Sequence, residues 1–125
     1  HQAEYWYVPI GTCRVVLHDL RVGSPTDGAT QVIDIGARAD GTHDHRGIFI
    51  PPGVAHGFAS LTDMTITYLV DSYYNPKDEL GLAYNDKAVK ADWGIAKPIL
   101  SERDAANPTR DAIKDQVRPF WPMRT

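Results

Sequence analysis

The run Ile50-Pro51-Pro52-Gly53-Val54-Ala55-His56-Gly57-Phe58 constrains this chain more than any other stretch. Pro51 and Pro52 each fix φ near −65° and remove a backbone donor, so neither can sit in a central β ladder, while Gly53 admits a positive φ. The chain must turn there and resume as a strand. The spacing predicts that this strand carries His56 inward from a rigid β scaffold.

Strand signals recur on both sides of this turn. Tyr5 to Ile10, Arg14 to Leu20, Gln31 to Ile35, Arg46 to Ile50, Ala55 to Leu61 and Met64 to Val70 are rich in Val, Ile, Thr and aromatic residues. Gly11-Thr12, Gly23 to Gly28, Gly36 to His43, Pro51 to Gly53 and Thr62-Asp63 separate them. Short strands at roughly ten-residue spacing predict an all-β antiparallel barrel or sandwich, and the absence of intervening helical periods argues against a parallel α/β sheet. The polar segment Asp71 to Lys97, with Tyr73, Tyr74, Tyr84 and Trp93 as anchors, is expected to wrap the mouth of the barrel. Near the end, Asn107 reads as the cap of a short helix from Pro108 to Val117, and Phe120 with Trp121 is expected to dock on the barrel or on a second subunit.

Size and charge set outer bounds. At 125 residues the chain is one domain, with a barrel core at about 4–104 and a helix and tail at 105–125. Cys13 is alone, which excludes an intrachain disulfide and suits a reducing, cytoplasmic compartment. A run of about 18 apolar residues is lacking, so no membrane helix is expected. A formal net charge of −3 with scattered Lys and Arg argues against a nucleic-acid surface.

The Pro-x-Gly-x-x-His spacing of residues 51–56 resembles the second signature of the cupin barrels, and with Gly57-Phe58 it is similar to the version in dTDP-4-dehydrorhamnose 3,5-epimerases. Thr67-Tyr68-Leu69, Asp71-Ser72-Tyr73-Tyr74, Leu82-Ala83-Tyr84-Asn85-Asp86, Ala91-Asp92-Trp93 and Leu100-Ser101-Glu102-Arg103-Asp104 follow in the order and near-spacing of that family, as do Gly11 to Arg21 and Gly23-Ser24-Pro25-Thr26 before them. The resemblance implies a cupin jelly roll, here with a short C-terminal helix, and a homodimeric isomerase that acts on a nucleotide-linked 4-keto sugar and needs no metal or cofactor. Epimerising a carbon beside a ketone needs a base on one face and an acid on the other. By resemblance Tyr68 is the proton donor, Asp104 polarises the histidine base, and His56, Tyr74 and Arg103 contact substrate. The same resemblance puts that base in an Arg-Gly-x-His segment ahead of His1.

Two positions depart from the family pattern. Glu4 stands where the epimerases usually carry lysine, and Val15 where an aspartate usually points inward. A lysine would supply positive charge where an enolate develops, and a glutamate would not. Glu4, seven residues before Gly11, also fits the end of the first cupin signature, so a metal-dependent cupin holding a metal through Glu4 and His56 is one alternative. A non-catalytic sugar-nucleotide binder is another. His43-Asp44-His45 reads as a polar turn between Gly41 and Gly47, although in a strand both rings would share a face.

Overall fold

Alternation along extended backbone sorts side chains onto two faces, and the strands of this chain use it to enclose one core. The computed structural model describes residues 2–73, 81–95, 97–113 and 118. Its strands are β1 (Glu4–Ile10), β2 (Thr12–Asp19), β3 (Thr30–Ala37), β4 (His43–Asp44), β5 (Ile48–Ile50), β6 (Val54–Ser60) and β7 (Thr65–Val70). They form two antiparallel sheets in the orders β5-β1-β7 and β4-β3-β2-β6. The all-β antiparallel expectation holds.

Trp6 and Val8 from β1, Cys13 and Val15 from β2, Ile35 from β3, and Ile48 and Ile50 from β5 make the buried centre, with Leu17, Ile33, Val54, Met64 and Ile66 packed against it. These are alternate residues of each strand, so both sheets turn one face toward the core. Val15 is fully buried there. Burial pushes the Cys13 thiol up to about 11, with the nearby Asp34 charge adding to the effect, so at neutral pH it is a packed thiol and not a nucleophile.

The proline turn behaves as its residues require. Val54 N–H donates to the Pro51 carbonyl at 3.4 Å and Gly53 has φ +87°, the left-handed value of the third position of a type II turn. This turn carries the chain from β5 in one sheet to β6 in the other. His56 follows as the third residue of β6.

Three sequence expectations are corrected. First, His43–Asp44 is strand β4, paired with Ala37 and Gly36, and not a polar turn; its register is set by tertiary pairing that no β-branched residue advertises. Second, residues 81–95 do not wrap the mouth but cover the outer face of the four-stranded sheet. The Thr30 hydroxyl donates to the Val89 carbonyl, and the Trp93 ring lies over Gly57, where a Cβ would come within 3.0 Å. Gly57 pairs with Val16, whose side chain faces away from the core.

Third, the helix expected from Pro108 is reduced, within the described residues, to the 3-10 turn Arg110–Ala112, and Ile113 is already extended. The Pro108 carbonyl accepts from Ala83 N–H at 2.7 Å and Arg110 N–H donates to Asp86 Oδ2 at 2.5 Å, so tertiary partners take the groups an α-helix would use. Lys114 to Val117, Phe120 and Trp121 lie outside the described residues. A short helix, α1 (Glu102–Ala105), instead forms upstream, capped by Ser101 Oγ, which accepts the Asp104 N–H at 3.1 Å.

The outer layer is fastened by a polar chain at β2. Arg110 Nη1 donates to His18 Nε2 at 2.8 Å, so the hydrogen of this buried imidazole sits on Nδ1 and donates to Thr30 Oγ1 at 2.7 Å. Arg110 and Arg118 both donate to Asp27. Burial first, then the Arg110 charge, lowers the His18 pKa below the ordinary 6.5. The unfolded chain therefore takes up this proton at higher pH than the folded one, so the stability tied to neutral His18 is full above about 6.5 and declines as pH falls below it. Asp19, Asp27 and Asp86 are shifted below the usual carboxylate range and contribute their own losses only at lower pH. Thermal unfolding followed from about pH 7.5 to about pH 5.5 should show a falling midpoint, with a shallower fall in His18→Gln. A midpoint with the same slope in both proteins would contradict this role for His18.

Candidate functional site

The site is built by register. On the inner face of the three-stranded sheet, Trp6 of β1 pairs directly with Tyr68 of β7 and with Ile48 of β5. Directly paired residues share a face, so Tyr68 projects on the same side as buried Trp6, although it is 60% exposed itself. On the other sheet, Leu17 of β2 pairs with His56 of β6 and with Gln31 of β3. His56 and Tyr68 thus stand on the inner faces of opposing sheets. Hydrophobicity alone could not choose Tyr68's side; the pairing with Trp6 does.

Trp6 connects the two walls. Its ring meets the His56 ring edge-on at 5.2 Å and the Phe58 ring edge-on at 5.5 Å, both from the opposite sheet. Its indole Nε1–H donates to Glu4 Oε2 at 2.6 Å, while Gln2 Nε2 donates to Glu4 Oε1 at 2.9 Å. His56 Nε2 lies 3.2 Å from the same Glu4 Oε2, and His56 Nδ1 lies 2.9 Å from the Val54 carbonyl oxygen. Glu4 is half-buried in this cluster, and both of its oxygens are occupied by donors.

Beside this row a cleft of about 240 Å³ opens between the sheets, lined by Leu17, Gln31, Ile33, Ile48 and Arg46 among others. Leu17 belongs to both the cleft and the His56 row. The Arg46 guanidinium donates to Asp44 at 2.6 Å and 2.9 Å, and these bonds hold the Asp44 carboxyl down near about 2.

The remaining sequence-derived candidates fall elsewhere. Asp104 is exposed on α1, with its backbone N–H on the Ser101 cap, and no described contact joins it to Tyr68 or His56. Arg103 precedes it on the same helix. Tyr74 lies outside the described residues. His43 and His45 do share a face, their rings stacked at 4.4 Å, with Tyr7 Oη 3.2 Å from His45 Nδ1 and His43 Nε2–H donating to the Val8 carbonyl at 2.9 Å. Among the described residues no three His, Cys, Asp or Glu side chains converge as a metal would require.

A family model described as dTDP-4-dehydrorhamnose 3,5-epimerase matches residues 1–111. The chain belongs to that family. It is 35% identical over 125 residues to the dTDP-4-dehydrorhamnose 3,5-epimerase of Mycobacterium tuberculosis, covering 96% of this chain and 59% of that enzyme. It is 36% identical over 104 residues to the dTDP-4-dehydrorhamnose 3-epimerase of Streptomyces niveus, covering 82% of this chain and 48% of the relative. Among solved structures, the dTDP-6-deoxy-D-glucose-3,5-epimerase of Legionella pneumophila in complex with dTDP-4-keto-L-rhamnose superposes with a TM-score of 0.84 at 30% identity, over 96% of this chain and 62% of that one. The present chain therefore spans about three fifths of the epimerases it matches, and its two sheets are those of their cupin-type jelly roll.

Sequence reasoning passed over Trp6 and read Glu4 as a lost lysine or as a metal ligand paired with His56, not as the acceptor of an indole N–H. The available signal was their spacing: residues 4 and 6 of one strand share a face, so an inward Trp N–H has a carboxylate within reach. Trp6→Phe shrinks the indole to a phenyl ring and deletes the donor to Glu4. Urea unfolding should show a loss of more than about 1–3 kcal/mol, the range for a hydrogen bond to a charged group, because lost ring volume in the core adds to it; unchanged stability would mean that the indole N–H does not hold Glu4.

Proposed function

We propose that this protein is a nucleotide-sugar epimerase of deoxysugar biosynthesis that acts on a dTDP-4-keto-6-deoxyhexose without a cofactor. The observation that carries this reading is the placement of Tyr68 and His56 on facing inner walls at an exposed end of the barrel, in a chain of the epimerase family. A ketone acidifies the neighbouring C–H; when a base takes that proton, the bonding pair becomes an enolate with its charge on the ketone oxygen. Tyr68 returns a proton to the carbon from its own wall. His56 lines the opposite side of the sugar, Arg103 and Tyr74 contact the substrate, and Asp104 holds the histidine base. Epimerisation at a single carbon is favoured by the likeness to a relative named a 3-epimerase and by Glu4 at the position where a lysine would oppose the enolate charge.

The reading extends to a cytoplasmic homodimer. Tyr5 pairs with both Phe49 and Leu69 on the outer face of the three-stranded sheet, and the three are 42%, 65% and 65% exposed, a row of apolar surface that a second copy would cover. Sedimentation should report twice the chain mass, and a monomer at micromolar concentration would remove this part. The unpaired Cys13 supports the compartment.

The chemistry is tested with the full-length protein and dTDP-4-keto-6-deoxyglucose in deuterated water, following C3 and C5 by NMR. Deuterium should enter at C3, and at C5 as well if both carbons are epimerised. Tyr68→Phe should slow incorporation by about 10²–10⁴-fold while leaving nucleotide-sugar affinity within a few-fold, because it removes a proton donor and keeps the ring. No incorporation in the wild type would overturn the epimerase reading, and wild-type rates in Tyr68→Phe would remove Tyr68 from the chemistry.

A further inference from the structure

The barrel closes without its outer layer. The buried cluster and the apolar side chains packed against it all come from residues 6–66, and none comes from the layer formed by residues 81–95 and 107–113. The layer is fastened to the barrel mainly at the end of β2. There Arg110 Nη1 donates to His18 Nε2 at 2.8 Å and to the Asp19 carbonyl at 3.1 Å, Arg110 Nη2 donates to Asp27 Oδ1 at 2.5 Å, and the Thr30 hydroxyl donates to the Val89 carbonyl. A guanidinium only donates, so His18 Nε2 must offer a lone pair, and the ring hydrogen on Nδ1 goes to Thr30 Oγ1 at 2.7 Å. One neutral imidazole thus sets the direction of every bond from Arg110 across β2 and β3 to Val89. A second ring hydrogen would point at the Arg110 N–H and bring two cations together at a buried side chain.

We infer that His18 is a pH-operated latch: its neutral ring ties the outer layer to the four-stranded sheet, and its protonation lifts that layer while the barrel beneath stays closed. The charged groups around the ring are Asp19 on β2, Asp27 in the connection from β2 to β3, and Asp86 and Arg110 in the layer; its cross-strand partners Thr30 on β3 and Ala55 on β6 carry no charge. The three carboxylates would favour a charged ring, but their oxygens already serve other donors. Asp19 accepts from Arg21, Ser24 and Thr26, Asp27 from Arg110 and Arg118, and Asp86 from the Ala88 and Arg110 backbone N–H groups. Burial and the Arg110 charge outweigh them, and the ring's pKa lies below its ordinary 6.5. A lifted layer frees the ring to titrate at the ordinary value, so acid below about 6.5 favours the lifted form. The latch acts independently of the epimerase chemistry.

The test is native-state amide hydrogen exchange of the full-length protein, followed by NMR in low concentrations of urea, in the wild type and His18→Gln, with rates corrected for the intrinsic effect of pH. The amides of Ala83, Val89 and Ile113 report on the layer, and those of Val15 and Leu17 in the central strand β2 report on the barrel. Layer amides should exchange through an opening that is more populated than the barrel's and nearly independent of urea, because it exposes little surface. Between about pH 7.5 and about pH 5.5 the wild-type layer opening should grow by up to about tenfold, the ratio for one proton taken up at about 6.5 by the open form, and in His18→Gln it should change by less than about twofold. Layer amides with the barrel's urea dependence would show that the two unfold together and would overturn the latch. So would a wild-type opening that ignores pH, or a His18→Gln response equal to that of the wild type. The wild-type urea series decides the local opening by itself, even where the variant folds poorly.

Discussion

The packing of Trp6 between the two sheets is the contact on which the rest of this structure depends. Its large ring closes the core beside Val8 and Ile48, and its edge-on contacts with His56 and Phe58 bind the three-stranded sheet to the four-stranded one. The indole N–H is satisfied by Glu4, so the one polar atom of a buried ring becomes the anchor of a polar cluster. The same residue sets the face of Tyr68 through direct strand pairing. Core and candidate site are therefore one assembly: the side chain that fills the barrel also fixes the separation and orientation of the groups at its open end.

A second set of contacts works from outside. The four-stranded sheet carries apolar residues on its inner face and a mixed row of Arg14, Val16 and His18 on its outer face, and that outer row needs cover. Val89, Ala83 and Ile113 supply the apolar cover, while the run Arg110, His18, Thr30 and the Val89 carbonyl supplies the polar fit. Each member uses a specific donor or acceptor, which is why a buried histidine is tolerated there in its neutral form.

Much of the barrel was legible because β-branched runs alternate with Gly and Pro, and the six strands expected from that punctuation all form, with ends displaced by at most two residues. β4 was missed because His43 and Asp44 have no strand preference of their own and are extended only through pairing with Gly36 and Ala37. The helix at Pro108 was overestimated because cap and proline signals are local, whereas Ala83 and Asp86 compete for the same backbone groups from far along the chain. At the site, the Pro-Pro-Gly turn made His56 readable since those residues dictate backbone angles directly. Tyr68's facing came only through the family resemblance, and Glu4 was paired with His56 only as a candidate metal ligand; periodicity could give neither, because both are set by which strand lies beside or opposite which.

The central claim is that the inner wall between His56 and Tyr68 receives the sugar. The most direct measurement is a crystal structure of the full-length protein with a dTDP-linked 6-deoxyhexose bound. The account places the hexose ring between the His56 and Tyr68 side chains, against the Trp6 edge, with the carbon beside the ketone facing the Tyr68 hydroxyl. A hexose seated on the outer face of either sheet, or in the cleft between β3 and β5 with Tyr68 beyond contact, would contradict it.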